Sequence, residues 1–120
     1  MLPPRIPKPA KRASRWKSTA HRDFVRSHAC CNCGSTVNVE FAHVRAGSGA
    51  GIGQKPDDWH GVSLCHDCHI GDQHTKGEPN FWQRYYARTG TSVSELIAAF
   101  IKASPRRQQI EQTMRERANG

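Results

Sequence analysis

Two Cys-x-x-Cys pairs, Cys30–Cys33 and Cys65–Cys68, constrain this chain more than any other feature. Gly34 follows the first pair and lets the backbone fold tightly, so that both sulfurs point at one ion. The second pair opens a predicted helix, where free backbone N–H groups help hold thiolates. Four thiolates at such spacings suit a tetrahedral structural zinc. The 31 residues between the pairs exceed what a simple zinc ribbon needs and leave room for a hairpin that carries something else. The fifth cysteine, Cys31, is read as a non-ligand.

A zinc staple also answers a weakness in composition. Only 36% of the 120 residues are hydrophobic and 8% aromatic, against roughly 45–50% apolar in an ordinary globular domain. Zinc binding contributes on the order of 10 kcal/mol to folding, more than so thin a core supplies comfortably. An odd number of cysteines, in a chain that opens with no secretory pattern, argues for metal ligation over a disulfide framework. The longest apolar run, residues 96–101, is far short of the roughly 20 residues that span a bilayer. The expectation is one soluble, intracellular domain.

The net charge of +8 is unevenly placed. Residues 1–26 carry eight basic side chains and one acid, residues 27–101 five basic and seven acidic, and residues 102–120 five basic and two acidic. Basic arms around a near-neutral body are the charge pattern of phosphate-backbone binding. A solubilising tail is the bland alternative. The expected DNA contacts are Arg12, Arg15, Lys17, Arg22, Arg45 and Lys55.

The elements read as α+β. Residues 1–20, with four prolines among Lys, Arg and Ser, read as a flexible, disordered arm. A short helix is expected over residues 20–28. Val37, Val39, Phe41 and His43 alternate along one parity and predict a strand, with Val62 and Leu64 in a second strand that runs into Cys65. The glycines at 47, 49, 51 and 53 mark a loop, since no Gly-Lys-Ser/Thr follows them. Residues 66–75 are expected to be helical and to end near Gly77. Phe81, Trp82, Tyr85 and Tyr86 form an aromatic helical face closed by Gly90, more in keeping with core than with a base-stacking platform. Ser92 and Glu95 have capping-box spacing ahead of Val93, Leu96, Ile97, Phe100 and Ile101. Residues 21–104 make the domain, and residues 105–120 read as a charged tail or frayed helix.

Seven histidines occur, and His66, His69 and His74 crowd just past the second cysteine pair while His43 ends the first strand. Four histidines around one zinc frame suggest a separate site with neutral nitrogen donors for a catalytic divalent ion.

The order Cys-x-x-Cys-Gly, Ala42-His43, then Leu64 to His69 as Leu-Cys-x-x-Cys-His resembles the HNH nucleases with a ββα-metal core. Ala42-His43-Val44-Arg45, the Gly-rich loop, Lys55-Pro56-Asp57-Asp58, His74 and Gly77-Glu78 extend the likeness to small phage and prophage HNH proteins, including the recombination-enhancement nucleases of the Ref type. The likeness covers roughly residues 20–100. It implies a zinc-stapled, treble-clef-like ββα-metal core with extra C-terminal helices, in the cytoplasm of a bacterial host. It also implies a DNA endonuclease in which His43 is the general base. His69 with His74 would hold Mg²⁺, Mn²⁺ or a similar ion that stabilises the phosphorus charge and the leaving 3′ oxygen. DNA would be gripped by its backbone, and a recombination protein is a conceivable partner.

Two departures from the family stand out. Ala42 occupies the position where many members carry an Asp or His ligand, and the middle Asn is missing, leaving Asp57 or Asp58 as its candidate substitute. In an ideal helix, moreover, His69 and His74 lie about 140° apart, so pairing them on one ion requires the helix to loosen near Gly77. Glu78 and His66 are weaker candidates. The runner-up reading is a non-catalytic zinc-finger module that binds nucleic acid through its arms. A protein–protein zinc adaptor ranks third because of the basic arms.

Overall fold

A computed structural model of the chain describes residues 1–7, 15–50 and 54–119. The expected contact Arg12 and the glycines Gly51 and Gly53 lie outside the described residues. Helix α1 (Thr19–Arg26) is followed by strands β1 (Val39–His43) and β2 (Gly61–Cys65) and then a π-helix (Asp67–His74). Helices α2 (Glu78–Thr89), α3 (Val93–Ala103) and α4 (Arg107–Asn119) complete the order. This is a small α+β fold. No helix among the described residues is long and apolar enough to cross a membrane.

The two strands form one antiparallel ladder running from Val39 opposite Cys65 to His43 opposite Gly61. At about 3.3 Å per residue, its four steps separate the Cys65 end from the His43 end by roughly 13 Å. Every residue of β2 is buried: α1 and α3 pack against the strand, and Ser63 Oγ donates to Ala29 O at 2.9 Å. Packing on β1 departs from the sequence expectation. The apolar parity is not its core side: Ala42 and the following Val44 are fully buried, whereas Phe41 and His43 are half-buried and Val37 is exposed. Asn38, with φ of +52°, breaks the strand before Val37 can join it. Phe41 instead lies across Gly61, where an added Cβ would sit 2.2 Å from its ring. Only glycine fits there.

Helix α1 is capped by Ser18, whose Oγ accepts from the His21 amide at 3.1 Å. The Ser92 cap on α3 forms as its spacing predicts, accepting from Glu95 N at 3.1 Å, and Gly90 closes α2 in the left-handed conformation. Within the aromatic face of α2, Phe81, Trp82 and Tyr85 are buried core, while Tyr86 is exposed.

Both ends of the chain are more firmly engaged than expected. Residues 15–18 do not belong to a free arm. Trp16 N donates to Asp57 Oδ1 at 2.7 Å, Asp58 N donates to Trp16 O at 2.9 Å, and the Trp16 ring packs on Trp59 at 5.5 Å between centroids. The segment after Pro105 is a docked helix, not a tail: Ile110 is fully buried, and Arg117 reaches Asp57 at 2.6 Å while lying over the Trp59 ring. Ile110 and Arg117 anchor an otherwise polar helix, which is why composition alone conceals it.

Candidate metal centre and candidate active site

At the Cys65 end of the ladder, the sulfurs of Cys30, Cys33, Cys65 and Cys68 all lie within 4.8 Å of one another. The first pair sits on a tight turn. Gly34 N donates to Cys30 O at 2.9 Å with Gly34 at φ +79°, and Cys30 N donates to Ser35 O at 2.8 Å. The second pair joins the end of β2 to the first turn of the π-helix. Asn32 Nδ2 donates to Cys68 Sγ at 3.4 Å, and Arg88 in turn donates to Asn32 O at 3.0 Å. Burial pushes the Cys65 and Cys68 thiols up. At Cys30 burial also acts upward, but hydrogen bonds from the Cys65, Cys33 and Asn32 backbone prevail and bring the thiol down to about 7. Cys31 turns away: its amide bonds to Ser63 O, and burial pushes its thiol up to about 12. Four sulfurs so placed could hold a metal ion such as zinc.

At the other end of the ladder, His43 Nε2 meets Asp58 Oδ1 at 2.9 Å. Asp58 is 1% exposed and is a hub. Arg15 Nη1 donates to the same oxygen at 3.0 Å, while Ser18 N donates to Oδ2 at 2.8 Å and Arg22 Nε lies 3.3 Å from it. Burial acts to raise this carboxyl, but the hydrogen bonds from His43 and Ser18 and the Arg22 charge outweigh it and hold it below its usual range. An ionised carboxylate only accepts. The proton in this bond is therefore His43's, on Nε2, and Nδ1 is the ring nitrogen left outside it. Arg15 and Arg22, two of the expected DNA contacts, both pair with Asp58 and stay partly exposed. Lys17 is exposed.

A cleft of about 550 Å³ is lined by His43, His69 and His74 together with Phe41, Arg45 and Lys55. The loosening of the helix that pairing these two histidines on one ion would require is present, though not at Gly77. The whole Asp67–His74 segment is π-helical, and i→i+5 bonding aligns residues five apart. The two rings meet edge to face, their centroids 4.8 Å apart. Gly77, with φ of +87°, starts α2.

Sequence reasoning missed Glu40. Its Oε1 accepts from His69 Nδ1 at 3.1 Å and its Oε2 from His66 Nδ1 at 3.2 Å, so the weaker candidate His66 serves this carboxylate. The His69 bond is the main reason the Glu40 carboxyl is held below its ordinary range. Burial pushes the His69 imidazole down, against the pull of Glu40. Glu78 is occupied by backbone: it accepts from Arg45 N at 3.0 Å and Ala46 N at 3.1 Å, fixing the chain just after His43. Asp57, the other expected support, binds Trp16 N and Arg117 and does not reach His43.

A protein-family model described as "Protein of unknown function (DUF968)" matches residues 5–113. The chain belongs to the DUF968 family. The matched span of this DUF968 member takes in both cysteine pairs, the histidine cleft and most of α4. No curated protein and no solved structure matches it.

Proposed function

We propose that this DUF968 protein is a metal-dependent HNH-type DNA endonuclease of phage or prophage origin, acting in recombination or DNA processing. The observation that carries the reading is one cleft lined by the Asp58-held His43, the His69–His74 pair and the basic side chains Arg45 and Lys55. Zinc on the four cysteines would be structural, fixing the π-helix against β2. The two imidazoles fit a catalytic divalent ion, favouring a transition ion over Mg²⁺. When bound, such an ion would stabilise the charge gathered on phosphorus and on the leaving 3′ oxygen.

The chain's own groups supply the rest. His43 Nδ1 would take the proton of the water whose oxygen bonds to phosphorus as the P–O3′ bond breaks. Asp58 would hold the imidazole in that tautomer and stabilise its protonated form. Lys55 and Arg45 would grip flanking phosphates without reading bases.

One observation favours the non-catalytic zinc module. Among the described residues, the cysteines are the one group of three or more His, Cys, Asp or Glu donors that converges on a point. Incubation with supercoiled plasmid, single strands and branched DNA, under Mg²⁺, Mn²⁺ or EDTA, separates the two readings. Cleavage that depends on the divalent ion supports the nuclease. DNA binding without cleavage of any substrate under either ion would replace it with the binding module.

A further inference from the structure

Glu40 stands in the middle of β1, where a carboxylate has little intrinsic preference. Its neighbours explain its presence better than the strand does. Each carboxylate oxygen takes a different histidine of the segment that follows Cys65: Oε1 from His69 Nδ1 at 3.1 Å and Oε2 from His66 Nδ1 at 3.2 Å. Because a carboxylate offers no proton, both histidines must carry theirs on Nδ1. His69 then keeps a lone pair on Nε2. Its ring is largely buried and edge-on to His74 at 4.8 Å between centroids.

We propose that Glu40 is a positioning residue for a divalent ion held through His69 Nε2. The inference rests on the reading of His69 and His74 as ion ligands and names the group that makes the first of them competent. A carboxylate behind a ligating imidazole fixes its tautomer and its angle and raises its basicity, and removing such a partner typically costs 10- to 100-fold in metal affinity. His66 steadies the carboxylate from its other oxygen. Glu40 also stands opposite Leu64, one step from Cys65. The strand that is pinned at the cysteine centre thereby orients a ligand of the histidine cleft.

Two readouts independent of cleavage test this on the zinc-loaded full chain. The first needs no substitution: long-range ¹H–¹⁵N NMR, above the histidine titration range, reports which nitrogen of His69 is protonated. Protonation on Nδ1 is expected, and protonation on Nε2 overturns the proposal. The second is Mn²⁺ binding followed by the EPR signal of the free ion, for the wild type, Glu40→Gln and His69→Ala, with zinc content measured alongside. Glu40→Gln should keep its zinc, lose the single His69 tautomer and bind Mn²⁺ about 10- to 100-fold more weakly. If Glu40→Gln binds as the wild type does while His69→Ala does not, Glu40 has no positioning role and the ion site stands. If His69→Ala also binds as the wild type does, or if the wild type takes up no Mn²⁺, the ligand reading itself falls and Glu40 falls with it.

Discussion

At the Cys65 end of the ladder, four donors of one kind come from two short turns, each contributing residues three apart. At the His43 end, roughly 13 Å away, the groups come from β1, from the loop at residues 56–58, from the π-helix, and from α1 with the segment before it. The first centre can form from two local turns and one strand pairing. The second exists only once the whole chain has closed around it, with Arg15, Ser18, Arg22 and His43 all converging on Asp58. On the proposed reading, stability belongs to one end and chemistry to the other, and substitutions should separate the two.

The largest expected effect is at the cysteine end. Cys33→Ser or Cys68→Ser should unfold the domain, since a structural zinc is worth on the order of 10 kcal/mol, and elemental analysis should find one zinc per wild-type chain. A Cys65→Ser/Cys68→Ser double variant that stays folded without zinc breaks the comparison. At the other end, His43→Ala should keep zinc, fold and DNA binding while cleavage drops about 10²-fold or more. Equal cutting by that variant would remove His43 as the base.

Asp58→Asn probes the hub with a smaller effect. Losing the charge leaves Arg15 and Arg22 without their carboxylate. Both are partly exposed, so the cost should be on the order of 2 kcal/mol, below that of a fully buried pair. Because the folded carboxyl titrates below its unfolded value of about 3.9, its contribution is complete above that pH and is lost as the pH falls through the lowered value. Denaturant titrations should therefore show a gap between wild type and Asp58→Asn that is constant at neutral pH and closes in acid. A gap that persists below the carboxylate range would mean that Asp58 acts through packing alone.

The smallest effect concerns the basic N-terminal stretch. Because residues 15–18 are part of the Asp58 site, the informative truncation is residues 1–14, which removes Arg5, Lys8, Lys11 and Arg12. Duplex affinity should fall, and the log–log salt slope should become shallower by about 0.9 for each phosphate that these side chains neutralise. An unchanged slope would make these residues a passive tail.

The two ends also differ in how far they could be read from the sequence. The cysteine centre was fully legible because its spacing is local, and the Ser92 cap and the second strand were legible for the same reason. His43 and the acidic pair Asp57–Asp58 could be nominated, but choosing Asp58 required knowing that the Trp16 segment folds back across the loop. Glu40 gave no signal, since one acid in a five-residue strand matches no periodic template. The facing of His69 and His74 was hidden by an assumed 3.6-residue turn, which the π-helix abandons from Asp67 onward. Residues 105–120 could be read only as a tail or a frayed helix, because the docking of α4 rests on Ile110 as its single buried residue.

Cleavage measured across a Mn²⁺ titration, for wild type, His69→Ala and His43→Ala, with zinc content followed throughout, tests the division of labour most directly. Mass action can refill a weakened ion site but cannot replace a missing proton acceptor. The account predicts that rising Mn²⁺ partly restores His69→Ala and leaves His43→Ala inactive, with zinc at one per chain in all three proteins. Equal rescue of both variants, or no Mn²⁺-dependent cleavage by the wild type, would contradict it.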